Sequence, residues 1–162
     1  MDKVIVREKL AALRHRLERI EEELPPEYED FGNNPTVEDV VLWNFCQAVQ
    51  QCVDVATHVI VDFGWDVPRY MRDTFDLLHE KSIISAPAAR AMKGAVSIRN
   101  IAMHRYVRLD LRRVYTACAD SLDDFREFAS EIGQIAGYGD GSDPGGRGDE
   151  SDTDAPPSAN SR

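Results

Sequence analysis

Apolar side chains recur along this chain at spacings of three and four, the period of a helix that turns one face to a core. From Val4 onward, Leu10, Leu13, Leu17, Ile20 and Leu24 fall on one stripe, and Pro25-Pro26 ends it because proline cannot continue the backbone ladder. An acidic loop follows. After Pro35, the Thr36 hydroxyl is placed to cap a second helix over about Val37 to Val61, with Asp39 where a carboxylate favours a helix N-terminus. Its stripe is Val41, Phe45, Ala48, Cys52, Val55 and Val59, and Gly64 marks its stop.

The segment Pro68 to Lys81 reads as a shorter third helix carrying Tyr70, Met71, Phe75, Leu77 and Leu78. Ser85 then caps a fourth, with Pro87 in its first turn where a missing amide hydrogen costs nothing, and this helix reaches to about Val107. Asp110 caps a fifth, striped by Leu111, Val114, Cys118, Leu122, Phe125, Phe128, Ile132 and Ile135. No segment alternates with the period of a strand, so the expected fold is all-α, an antiparallel bundle of about five helices. After Tyr138 the composition turns to Gly, Ser, Asp and Pro without apolar period. Such a sequence buries too little surface to offset its ordering entropy. The chain therefore divides into a helical bundle over residues 1–138 and an acidic disordered tail over residues 139–162.

Charge changes this picture. The formal net charge is -10, the wrong sign for a general nucleic-acid coat. Between Arg90 and Arg113, however, seven basic residues stand against Asp110 alone. The blandest account of such a run is a solvated helix face. The three cysteines, Cys46, Cys52 and Cys118, lack CxxC spacing and sit in apolar stripes, which predicts buried free thiols. No apolar run is long enough for export or a membrane span, so a cytoplasmic protein is expected.

The basic stretch contains Arg99-Asn100-Ile101-Ala102-Met103-His104-Arg105-Tyr106, which brings a fixed cation, an amide, an imidazole and a phenol together. Cleaving RNA without a metal needs a base for the 2′-hydroxyl proton, a charge to steady the five-coordinate phosphorus and an acid for the leaving oxygen. Histidine, with an ordinary pKa of about 6.5, suits proton transfer near neutrality, which makes His104 the candidate acid and base. Arg99 can fork two donors onto phosphate oxygens. Asn100 is placed to orient the substrate or the imidazole, and Tyr106 to hydrogen-bond phosphate or stack on a base. On a helix turning about 100° per residue these polar groups share one broad side, although Arg99 and His104 do not stack. Two copies facing each other across a two-fold axis would close the pocket, which favours a homodimer with its cleft at the seam.

The spacing of Arg99, His104 and Tyr106 resembles the signature of HEPN ribonucleases, and within them the HepT-like toxins that pair with minimal nucleotidyltransferases. The resemblance covers roughly residues 5–137 as a helix pattern and is specific only in these eight positions. It implies a ribonuclease toxin acting on RNA as a homodimer, neutralised by a nucleotidyltransferase antitoxin encoded alongside. It also implies that Tyr106 is where that partner attaches AMP. A catalytically silent helical-bundle module, binding nucleotide or the nucleotidyltransferase through the same residues, is the alternative.

Other candidates are weaker. Asp54 and His58 are four apart and so able to touch, either as a carboxylate that orients a histidine near the dimer seam or as a buried polar pair. His15 and His79 stand among charged neighbours as solvated side chains, and Trp43, Trp65 and Tyr115 read as core or interface aromatics. No carboxylate or histidine cluster is spaced to hold a catalytic ion, and no glycine loop cradles a phosphate, so neither metal nor cofactor is expected.

Overall fold

The computed structural model describes residues 2–104 and 110–137. Among them it contains helices α1 (Lys3–Glu23), α2 (Tyr28–Gly32), α3 (Pro35–Asp62), α4 (Met71–Glu80), α5 (Ala86–His104) and α6 (Leu111–Ile135), with no strand. The expected all-α architecture is present. The expected tail and Tyr106 lie outside the described residues.

The four long helices run antiparallel, as their cross-links show. At the start of α1, the Asp2 amide donates to Asp62 at the end of α3 (2.9 Å). Two-thirds of the way along α1, the Arg16 guanidinium donates to Asn44 near the beginning of α3 (3.2 Å). The Ser85 amide, preceding α5, donates to Glu131 late in α6 (2.9 Å). Arg126 of α6 pairs with Glu21 of α1 at 2.9 Å.

The stripes read from the sequence face inward. Leu13, Leu17 and Ile20 of α1, all six stripe residues of α3, and Val114, Cys118, Phe125, Phe128 and Ile132 of α6 are buried. The core is built around aromatic pairs. Phe45 meets Phe125 edge-on with centroids 5.8 Å apart, and Phe75 meets Phe128 at 5.7 Å. Each ring removed from water is worth about 1.5–3 kcal/mol. The three cysteines are buried free thiols, as expected.

Three local expectations need correction. A further helix, α2, occupies the stretch read as an acidic loop: Phe31 is fully buried and packs 5.5 Å from the Tyr115 ring, whose hydroxyl donates to the Pro25 carbonyl at 2.9 Å. Five residues are too few to show a helical period, so only these long-range contacts define it. The N-cap of α3 is Asn34, whose side chain accepts from the Val37 amide (3.3 Å), and Pro35 rather than Thr36 opens the helix. Helix α4 begins at Met71, leaving Tyr70 extended at φ -111° and ψ 141° outside it.

Gly64 ends α3 at φ +72°, a left-handed conformation that glycine adopts freely. Asp110 caps α6 through the amides of Arg112 (3.1 Å) and Arg113 (3.2 Å), as expected.

Candidate active site

Helix α5 positions the candidate residues. The Ser85 hydroxyl accepts from the Ala88 amide (3.2 Å), which fixes the first turn. Small buried residues on one face, Ala88, Ala89, Ala95 and Ala102, let the helix lie close to its neighbours. Lys93, Asn100 and His104 fall on a different side, and together with Arg99, which leaves the helix beside the alanine face, they line a cleft of about 640 Å³. The other wall is the extended approach to α4 and its first turns, from Arg69 to Asp76. A single chain thus supplies two walls, where the sequence reading looked to a second copy for the facing wall. Arg99 and His104 do not stack, as their five-residue separation requires, yet both line this cleft.

Arg99 is half-buried and held by neutral acceptors on both sides. One terminal nitrogen donates to the Asn100 side-chain oxygen (3.2 Å), and the other to the Gln50 side-chain oxygen on α3 (3.3 Å). The Gln50 amide nitrogen in turn donates to Asp54 (2.8 Å). An ionised carboxylate only accepts, so Asp54 fixes which end of the Gln50 amide faces the guanidinium. Arg99 therefore keeps its orientation without having its charge neutralised by direct contact. Asn100 lines the cleft and its side-chain oxygen accepts from Arg99.

The guanidinium is also felt by Cys46: burial raises that thiol above its ordinary pKa, and Arg99 pulls it partly back. Lys93 in the same cleft is paired with Asp76 at 2.6 Å. His104 is exposed at the last described turn of α5.

Asp54 and His58 do not act together. Asp54 serves Gln50, whereas His58 faces Asp62 of the following turn, with Nε2 3.2 Å from its carboxylate but without hydrogen-bond alignment. His15 is exposed, and His79 contacts the Ile84 carbonyl (3.2 Å); neither lines the cleft. Among the described residues, no group of three or more His, Cys, Asp or Glu side chains is arranged to hold a metal, and no helix is long and apolar enough to cross a membrane.

Tyr70, Arg69 and Arg72 as cleft-lining residues, and Gln50 as an acceptor for Arg99, are absent from the sequence-based expectations. Only the i, i+4 spacing of Gln50 and Asp54 was a signal, and it gave no hint of Arg99. Trp43 belongs to the surface: it is 57% exposed beside Met103 (48%), across a shallow apolar groove between α3 and α5.

Comparison with known proteins agrees with this architecture. The ribonuclease HepT-like family matches residues 13–132. The mRNA nuclease HepT of Shewanella oneidensis is 30% identical over 128 residues, which covers 79% of this chain and 96% of that protein. The solved structure of a tri-AMPylated HEPN toxin from Shewanella oneidensis, in complex with its MNT antitoxin, superimposes with a TM-score of 0.75 at 28% identity, covering 83% of this chain and 98% of that one. A toxin–antitoxin structure with AMP-PNP gives a TM-score of 0.74, also at 28% identity, with 82% of this chain and 98% of that one covered.

Proposed function

Because the chain belongs to the ribonuclease HepT-like family, we propose that it is a metal-independent endoribonuclease toxin, acting as a homodimer and neutralised by a nucleotidyltransferase antitoxin that attaches AMP to Tyr106. Residues 1–138 are the working unit and residues 139–162 stand outside it. The observation that carries this reading is the shared cleft of Arg99, Asn100 and His104, with Arg99 held by neutral acceptors so that its charge is left for an anion.

In this reading His104 takes the proton from the 2′-hydroxyl, whose oxygen attacks the adjacent phosphorus. The five-coordinate species gathers negative charge on its non-bridging oxygens. Arg99 meets that charge with its remaining donors, and its half-buried position strengthens the interaction relative to water. A proton returned to the departing 5′-oxygen, by His104 of either copy, leaves a 2′,3′-cyclic phosphate and a 5′-hydroxyl. The exposed Trp43 and Met103 beside the site suit an interface between copies, since large apolar groups clustered on a surface mark association sites. AMP on Tyr106, two residues beyond His104, brings a bulky anion to the position an RNA phosphate must take. The names of the Shewanella oneidensis relatives, an mRNA nuclease and an AMPylated toxin bound to its antitoxin, support both halves of the reading.

The test is cleavage of RNA by purified protein in excess EDTA, with analysis of the product ends. Cyclic phosphate and 5′-hydroxyl termini, together with rates lowered about 10²-fold or more in both His104→Ala and Arg99→Ala, are the expected result. Retained cleavage in both variants, with unchanged helical circular dichroism, refutes the assignment. RNA bound but never cleaved favours the silent binding module.

A further inference from the structure

The wall facing α5 has its own chemistry. Tyr70 lies in extended backbone just before α4, and the residue is 63% exposed although it lines the cleft that holds Arg99, Asn100 and His104. A tyrosine kept for packing would be buried; this one presents an open aromatic surface to a polar cavity. The Arg69 guanidinium lies 5.8 Å from the ring centroid, which holds a cation against the aromatic system. Arg72 lines the same wall, and among the described residues neither Arg69 nor Arg72 forms an ion pair. Asp76 is already engaged by Lys93, so its charge is largely answered within the cleft. The wall therefore joins an open ring to two guanidinium groups without ion pairs, set against the single carboxylate of Asp73, across from the residues that meet the scissile phosphate.

We infer that Tyr70, Arg69 and Arg72 form a subsite for a nucleotide flanking the scissile phosphate of single-stranded RNA, the base stacking on Tyr70 and its phosphate meeting the guanidinium groups. This rests on the preceding reading that RNA is the substrate. A π-face is common to all bases, so such a platform binds strand rather than sequence. In a duplex the bases are already stacked and their faces are closed to a protein ring. The subsite thus selects single strands, loops and unpaired ends, and it accounts for an acidic protein binding a polyanion through one local cleft.

The experiment uses the full chain and a fluorescent oligonucleotide carrying 2′-O-methyl groups throughout, which the transesterification cannot cleave. Affinity is measured by anisotropy for a single strand, for an abasic strand of equal length and for a self-complementary duplex. The wild type should prefer the base-bearing single strand. Tyr70→Ala should lose about tenfold in affinity for that strand and almost nothing for the abasic one, since stacking on one ring is worth on the order of this factor. Tyr70→Phe keeps the ring and should bind within about twofold of wild type. Arg69→Ala and Arg72→Ala should weaken both strands and reduce the salt dependence by roughly one phosphate contact each.

Equal binding of the base-bearing strand by Tyr70→Ala and wild type overturns the subsite. So does a Tyr70→Ala protein that loses self-association or antitoxin binding while its RNA affinity stays unchanged, because the ring is then a protein contact. A wild type that cleaves no RNA at all refutes the earlier reading instead, so the two failures are separable.

Discussion

Gln50→Glu tests whether Arg99 must be held by a neutral group. The substitution preserves shape and places a carboxylate where the amide oxygen now accepts from Arg99 at 3.3 Å, while the amide nitrogen that donates to Asp54 at 2.8 Å gives way to an oxygen that cannot donate. Opposite charges about 4 Å apart attract by about 1 kcal/mol in water and about 4 kcal/mol at an effective dielectric of 20. Arg99 is half-buried, so solvent screening places the effect near the lower end, at about 1–2 kcal/mol. An RNA phosphate must compete with this internal ion pair, and its affinity should fall about 5- to 30-fold. Gln50→Ala removes the support but leaves the charge unanswered, so its loss should be smaller, about 1 kcal/mol or roughly fivefold. The assay is binding of a non-cleavable 2′-O-methyl oligonucleotide across pH 4 to 8. Affinity of Gln50→Glu should recover as its carboxyl protonates, while Gln50→Ala shows no such recovery. Thermal stability should fall modestly, because the Asp54 carboxylate loses its donor and faces a second carboxylate, while the new, partly exposed ion pair with Arg99 contributes at most about 1 kcal/mol. Wild-type affinity in Gln50→Glu, or a greater loss in Gln50→Ala than in Gln50→Glu, refutes the reasoning.

Phe125→Ala empties a fully buried site against Phe45 and should cost about 3–5 kcal/mol, read as a lowered urea midpoint; a change under about 1 kcal/mol would show that the core re-closes. Burial pushes the Cys118 thiol up to about 12, so the folded state holds a proton that the unfolded chain releases near 9. Stability from this group is full below about pH 9 and falls by up to about 1.4 kcal/mol per pH unit toward pH 12, and Cys118→Ala should flatten that slope in alkaline denaturation. Removing residues 139–162 should leave self-association by light scattering and RNA cleavage unchanged; a monomeric product would show that the segment packs. Co-expression with a nucleotidyltransferase antitoxin should add AMP mass to wild type and none to Tyr106→Phe, and equal addition to both excludes Tyr106 as the site.

The local organisation of this protein was legible in its sequence. A spacing of three and four gives the buried face of each long helix, and the stripes of α3 and α6 are buried where the period put them. Capping chemistry is equally local, so Asp110 and Ser85 were identifiable from residue type and position. The spacing of Arg99 and His104 on one helix placed both on one broad side, where both now line a cleft. Periodicity fails for short segments and for the first turn of a helix, which is why α2 leaves no period to read, Asn34 rather than Thr36 caps α3, and Tyr70 precedes α4 instead of lying within it.

Only the tertiary structure decided what faces the motif. A stripe says which side of a helix is buried and nothing about which helix covers it; that choice is made by side-chain packing between segments far apart in sequence. Gln50 reaches Arg99 across 49 positions, and Asp54 turned from a partner of His58 into the group that sets the Gln50 amide. The wall of Arg69, Tyr70 and Arg72 exists because α4 docks against α5, a contact that leaves no periodic trace in either segment. Sequence therefore determined the helices and the reactive side chains they carry, while packing of distant helices determined the acceptors, the second wall and the exposed ring that turn those side chains into a cleft.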